Sequence, residues 1–148
     1  MSLSNVFDIA GSGMNAQSIR INTTASNIAN AESASSSVDE TYRARKPWFA
    51  VMQKAYMEVN EHNQFEELTG NTGAGVQVMG IVEKDAPLQL RFQPDHPMAN
   101  EDGYVYYPNV NIVEEMTDMM ASSRSYQMNV EVLKTAKQML QRTLTLGQ

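Results

Sequence analysis

The residues of this 148-residue chain that could do chemistry are its two histidines, its carboxylates and one glycine-rich loop. His62 and Glu66 stand four apart, which could bring two metal ligands onto one helical face. Two ligands are too few for a site, no HExxH pattern is present, and the surrounding EVNEHNQFEE reads as a solvated acidic stretch. Gly70-Asn71-Thr72-Gly73-Ala74-Gly75 has the look of a phosphate cradle. It lacks the Lys-Ser/Thr pair that reaches the β- and γ-phosphates, and β-type residues follow it, so it reads as a turn. Asp95-His96-Pro97 and Asp102-Gly103 could suggest an acid–base pair or a calcium loop. The EF-hand spacing is absent, G-x-S-x-G does not occur, and Asp, Pro, Asn and Gly between strands are ordinary turn formers. There is no cysteine, which excludes thiolate nucleophiles, disulfides and Cys-ligated zinc. The expectation is a protein without catalytic residues, metal or cofactor.

Composition narrows the alternatives. Apolar residues make up 42% and mean hydropathy is −0.41. The longest apolar run, Trp48 to Met52, is far below the ~18–20 residues of a membrane span, so no membrane insertion is expected. No apolar h-region follows the start and the first positive charge is Arg20, so a cleavable secretory signal is not expected either. The net charge of −6 denies the chain the counterion release that drives nucleic-acid binding. That charge is confined to residues 32–108. Residues 1–31 carry only Asp8 and Arg20, and 109–148 balance Glu114, Glu115, Asp118 and Glu131 against Arg124, Lys134, Lys137 and Arg142.

The three parts also differ in periodicity. In the first, Phe7, Met14, Ile21 and Ile28 form one seven-residue row and Leu3, Ala10, Gln17, Thr24 and Ala31 a second, the pattern of an amphipathic helix with a narrow seam. The rest of that segment is Ser, Asn, Thr and Gln with Gly11 and Gly13 inside it, and each glycine costs roughly 1 kcal/mol against Ala. Such a helix is poorly stable alone. In the last part Ile112, Met119, Tyr126, Leu133 and Leu140 form one row, and Met116, Ser123, Val130, Lys137 and Leu144 the other. Asn111 reads as its N-cap, with Glu114 completing a capping box. Uninterrupted to residue 146, this helix would reach about 54 Å and needs a partner helix. The middle reads as β: Val76 to Val82 and Leu88 to Phe92 alternate, Trp48 to Met52 and Tyr104 to Tyr107 are aromatic or β-branched runs, and turn residues lie between them. Ala31 to Glu40 is Ser-rich and reads as a mobile linker or loop. Methionines 116, 119, 120, 128 and 139 lie on more than one face of the last helix, as expected of a helix that touches several different neighbours.

Two terminal motifs carry a resemblance. Asn22-Thr23-Thr24-Ala25-Ser26-Asn27-Ile28-Ala29-Asn30 resembles the signature of the flagellar axial (rod and hook) protein family, and the opening SLSNVFDIAGSGMNAQSIRI resembles its proximal-rod branch. Tyr107 to Gln148 resembles the family's C-terminal helix, with Asn109-Val110, Glu115-Met116, Arg124, Tyr126, Asn129 and Thr135 as its framework, and His96 to Asn111 resembles the segment leading into it. Together they cover about half the chain. The sequence departs in reading Asn30-Ala31-Glu32-Ser33 where many axial proteins have Asn-x-x-Thr.

The architecture expected is α+β. The N-terminal helix (1–31) and C-terminal helix (109–148) would pack antiparallel through their two seams into a coiled-coil-like helical domain, with a linker and small β-rich domain (32–108) inserted between them. The resemblance implies a non-enzymatic structural subunit of the bacterial flagellar basal-body proximal rod, located in the periplasm. It implies export by the flagellar type III apparatus without a cleaved signal. It also implies partners among the other proximal and distal rod subunits and the proteins at the rod–MS-ring junction. The residues expected at the interfaces are Leu3, Phe7, Met14, Ile21 and Ile28 with Ile112, Met116, Met119, Tyr126, Val130, Leu133, Leu140 and Leu144. Burying such side chains is worth about 1.5–3 kcal/mol each. The alternative is a periplasmic or secreted coiled-coil module that recognises one partner helix.

Overall fold

Two helices of unequal length, α1 (Leu3–Ala29) and α2 (Ile112–Leu146), run alongside each other in the computed structural model, which describes residues 3–52 and 75–146. Their direction follows from two contacts. Asn27 Nδ2 donates to Glu115 Oε2 at 3.0 Å, and a Cβ on Gly13 would lie 2.9 Å from Asn129 Nδ2. Two heptads up α1 therefore correspond to two heptads down α2, so the pair is antiparallel and in a common seven-residue register. Val6 and Ala136, one heptad further, line the same groove.

α2 begins as the sequence suggests. Pro108 cannot continue the β4 ladder, and Asn111 Oδ1 accepts from the Val113 and Glu114 amides at 3.1 and 3.4 Å, a working N-cap. The capping box takes a different form. Glu114 Oε1 accepts from Lys46 Nζ at 3.1 Å, because β1 brings an ammonium within reach of the first turn.

The strands form two antiparallel ribbons rather than one sheet. β1 (Arg45–Val51) pairs with β2 (Val76–Glu83), with a bulge at Trp48/Phe49 that leaves Met79 without an opposite residue. β3 (Gln89–Phe92) pairs with β4 (Tyr104–Tyr107). The Ser-rich stretch is a loop, but a fastened one: Ser35 bridges Tyr106 through two 3.0 Å backbone hydrogen bonds. Two glycines have positive φ for visible reasons. Gly103 (φ 80°) closes the β3–β4 hairpin with 3.0 Å to the Phe92 ring from where a Cβ would stand. Gly75 (φ 109°) enters β2 directly against Ser12 of α1, where a side chain would collide with the Ser12 hydroxyl. That hydroxyl donates to Ile9 O and accepts from Val76 N, fastening the ribbon to the helix.

The interior is made of small and polar residues. Ala10, Ala16, Thr23, Thr24, Asn27, Glu115, Ser122 and Ala136 are buried on the two helices, and Ala31, Ala44 and Val110 cluster under Tyr42 at their base. Val105, Tyr107 and Val110 are the bulkiest apolar side chains buried among the described residues.

This differs from the expected pairing of two apolar seams. On α2 the row facing α1 is Glu115–Ser122–Asn129–Ala136, while Ile112, Met116, Tyr126, Val130, Leu140 and Leu144 are exposed and Met119 and Leu133 half-buried. On α1, Phe7, Met14, Ile21 and Ile28 are half-buried, and of the second expected row Ala10 and Thr24, with Ala31 just past the helix, are buried beside Ala16, Thr23 and Asn27. At Gly13 the missing side chain leaves room for the Asn129 amide of α2, which a Cβ there would meet at 2.9 Å. On α2 the interior row stands part of a turn from the expected seam, whereas on α1 the second expected row faces inward.

Candidate assembly faces and the clasp that orients them

At the base of the helix pair a fully buried amide holds three segments together. Asn27, with 0% exposure, donates through Nδ2 to Arg45 O at 2.8 Å and Glu115 Oε2 at 3.0 Å. Its Oδ1 accepts from Tyr42 Oη at 2.8 Å and Arg45 N at 2.9 Å. All four hydrogen-bonding positions of the amide are filled, so the end of α1, the start of β1 and the start of α2 share one junction. Asn109 does the same for the other side of the junction. Its Oδ1 accepts from Ala44 N at 2.8 Å, and its Nδ2 donates to Lys84 O and Ala86 O at 3.0 and 2.9 Å.

Charged groups surround this clasp. Lys46 Nζ lies 3.1 Å from Glu114 Oε1 and 3.7 Å from Asp118 Oδ2. The hydrogen bond to Glu114, with the nearby carboxylates, raises the Lys46 pKa against the opposing cost of burial. The same hydrogen bond and the positive charges of Lys46 and Lys84 hold Glu114 below the usual carboxylate range. Arg20 stacks its guanidinium over Phe49 at 4.7 Å from the ring centre, joining α1 to β1.

Among the described residues no three His, Asp or Glu side chains converge as a metal site, and no helix is long and apolar enough to cross a membrane. His96 serves a turn, its Nδ1 accepting from Met98 N at 3.1 Å. Asn100 Oδ1 likewise accepts from Asp102 N and Tyr104 N in the hairpin loop. His62, Glu66 and Gly70 to Ala74 lie outside the described residues.

Above the clasp, the distinctive feature is apolar surface on both flanks of α2. On one side stand Ile112, Met116, Tyr126, Val130, Leu140 and Leu144, with Met116 53% and Leu144 66% exposed. On the other, Met128, Val132 and Met139 join Val6 of α1 around an open groove of about 610 Å³. The half-buried Met119 and Leu133 border the seam; Leu3 belongs to α1, and its side chain is outside the description. The row Glu115, Ser122, Asn129 and Ala136 carries no apolar signal in the sequence, since only Ala136 in it is apolar. The available signal was a seven-residue repeat of small and polar residues, matched by Gly13 and Asn27 on α1.

Comparison with known proteins agrees with this geometry. Residues 7–32, most of α1, match the family described as flagella basal body rod protein. Residues 101–146, which include α2, match the flagellar basal body rod FlgEFG protein C-terminal family. Over its whole length the chain is 44% identical to the flagellar basal-body rod protein FlgC of Salmonella typhimurium and 45% identical to that of Escherichia coli O6:H1, covering all of each. It is 33% identical to FlgC of Borreliella burgdorferi, covering 99% of that protein. A helix pair clasped to small ribbons, with its largest apolar side chains facing outward and no catalytic grouping among the described residues, suits a building block, and by these similarities the chain belongs to the FlgC family of flagellar basal-body rod proteins, structural subunits of the rod rather than enzymes.

Proposed function

We propose that the chain polymerises through its terminal helices into the proximal rod, where it carries torque as part of a stiff shaft in the periplasm. The observation that supports this is the exposure of apolar side chains on both flanks of α2, which leaves that helix with one neighbour where its surface is fit for several. The outer side of α1 adds to it. Apart from Asp8 and Arg20 that helix is uncharged, and nothing within 4 Å fills the space beside Gly11. In this reading residues 1–31 and 109–148 form the assembling domain, residues 32–108 project from it, and the thirteen residues from Leu3 to Leu144 named above lie at subunit contacts. The partners are the other proximal and distal rod subunits and the proteins at the MS-ring junction, reached through the type III export apparatus.

The test is a chain carrying Val130→Glu and Leu144→Glu. Both positions are exposed, so circular dichroism of the purified variant should match the parent while incorporation into basal bodies is lost. Normal incorporation would overturn the proposal. Sedimentation of the parent with its sister rod proteins separates this reading from a single-partner module: a shaft subunit gives heterogeneous polymers, a module one stoichiometric complex.

A further inference from the structure

Two surfaces at opposite ends of the molecule complement each other in charge. Residues 132–146, the last turns of α2, carry Lys134, Lys137 and Arg142 and no acid. Residues 93–103, the loop that closes the β3–β4 hairpin, carry Asp95, Glu101 and Asp102 and no Lys or Arg. All six are exposed, and among the described residues none has an ion-pair partner, whereas Arg43, Arg45, Lys46 and Arg91 are all paired. Asp39 and Glu40, the other unpaired acids described in 32–108, already stand beside Arg43 and Arg45. Each charged set also borders apolar surface. Lys137, Leu140 and Leu144 recur at i, i+3 and i+7 on one face of α2. Both leucines are exposed where α1 stops about two turns short of that tip. On the hairpin, Leu90 and Phe92 stand two apart on one side of β3. Tyr104 lies opposite Phe92 with the rings 5.2 Å apart, and Phe92 is 63% exposed.

Within one chain these surfaces cannot meet. β4 leads through four residues into the start of α2, and from Ile112 to Leu144 the helix runs unbroken for about 48 Å. Hairpin strands of four residues reach only about 13 Å. We propose that the tip of α2 in one copy docks on the apolar face of the β3–β4 hairpin in a second copy. Its leucines lie against Leu90, Phe92 and Tyr104, and its lysines face Glu101 and Asp102. This rests on the assembly reading above and names one of its contacts. Because the two surfaces differ, the contact is heterologous and passes from copy to copy as a ring or open helical array, not as a two-fold dimer. The opposed charges set which end meets which, and the covered apolar side chains hold the contact.

Sedimentation of the purified full chain tests this contact without a rod. The parent should self-associate at about 0.1 M salt and more weakly at about 1 M, as the screening length falls from about 10 Å to about 3 Å. Lys134→Glu with Lys137→Glu, and separately Glu101→Lys with Asp102→Lys, should each keep the parent's circular dichroism and weaken association about tenfold or more. Mixed together, the two variants should recover it, since each supplies the sign the other lacks. A parent that stays monomeric, or that associates only after a sister rod protein is added, would overturn the inference. Charge-reversed chains that associate as well as the parent would do the same, as would a mixture no stronger than its components. The two readings fail separately. If the Val130→Glu, Leu144→Glu chain is excluded from basal bodies while the parent stays monomeric, the assembly reading stands and this contact falls. If that chain enters basal bodies while the mixture recovers association, the contact stands and the assembly reading falls.

Discussion

Asn27 fills four hydrogen bonds with no exposure to water, so shortening it to Ala leaves the Arg45 amide and carbonyl, the Tyr42 hydroxyl and the Glu115 carboxylate each short of a partner. Asn27→Ala should destabilise the chain by about 2–4 kcal/mol, measured as a shift of the urea midpoint. The glycines give an opposite expectation. Gly11 has open space beside it, so Gly11→Ala should stabilise the free chain by up to about 1 kcal/mol through helix propensity. Gly13→Ala must displace the Asn129 amide, 2.9 Å from the new Cβ, and should gain less. If Gly11→Ala raises the melting temperature while reducing incorporation, a neighbouring subunit approaches α1 at that point. The Lys46–Glu114 pair carries a pH signature. Because the Glu114 pKa is lowered and the Lys46 pKa raised, the pair's contribution is present at neutral pH. It is lost as acid takes the pH through the folded Glu114 value, and lost again in base as the pH rises through the folded Lys46 value. A double-mutant cycle with Lys46→Met and Glu114→Gln should give a small coupling at pH 7 that fades as acid takes the pH through the lowered Glu114 value.

At the scale of the elements, the seam and the flanks of α2 should respond differently to substitution. Ser122→Leu puts a large side chain where the present one is 1% exposed, and overpacking of this kind costs about 1–3 kcal/mol. The readout is loss of the cooperative thermal transition in the isolated chain, something Val130→Glu should leave intact. Seven-residue periodicity was enough to find both helices, since Phe7–Met14–Ile21–Ile28 and Ile112–Met119–Tyr126–Leu133 repeat at the right interval. It did not identify the face of contact, because a helix with apolar residues on several sides has no single preferred stripe. Alternation and aromatic or β-branched runs likewise located the four strands, with Tyr104–Tyr107 matching to the residue. Their division into two ribbons depends on Ser35 bridging Tyr106 and on Asn109 binding Lys84 and Ala86. These contacts are remote in sequence and have no local signature.

For the molecule as a whole, the distribution of contacts sets where order is strongest. The clasp, the Lys46 pair and the Arg20–Phe49 stacking all lie towards one end of the helix pair. From the register of Asn27 with Glu115, α1 ends about two turns short of the tip of α2, so Leu140 and Leu144 extend past it. Amide hydrogen exchange of the soluble chain should be slowest around Thr23–Asn27 and Glu115–Ser122 and fastest over residues 138–146. In isolated basal bodies that difference should shrink as neighbours cover the free end.

The sequence by itself determined the element types, their order and the family, because periodicity, capping and signature motifs are local properties of the chain. Only the tertiary structure decided which side of α2 is interior. A helix apolar on several sides has no single preferred stripe, and the side that packs on α1 is the one of Glu115, Ser122, Asn129 and Ala136. That outcome turned the large apolar residues of α2 outward and made a buried asparagine the junction of the fold.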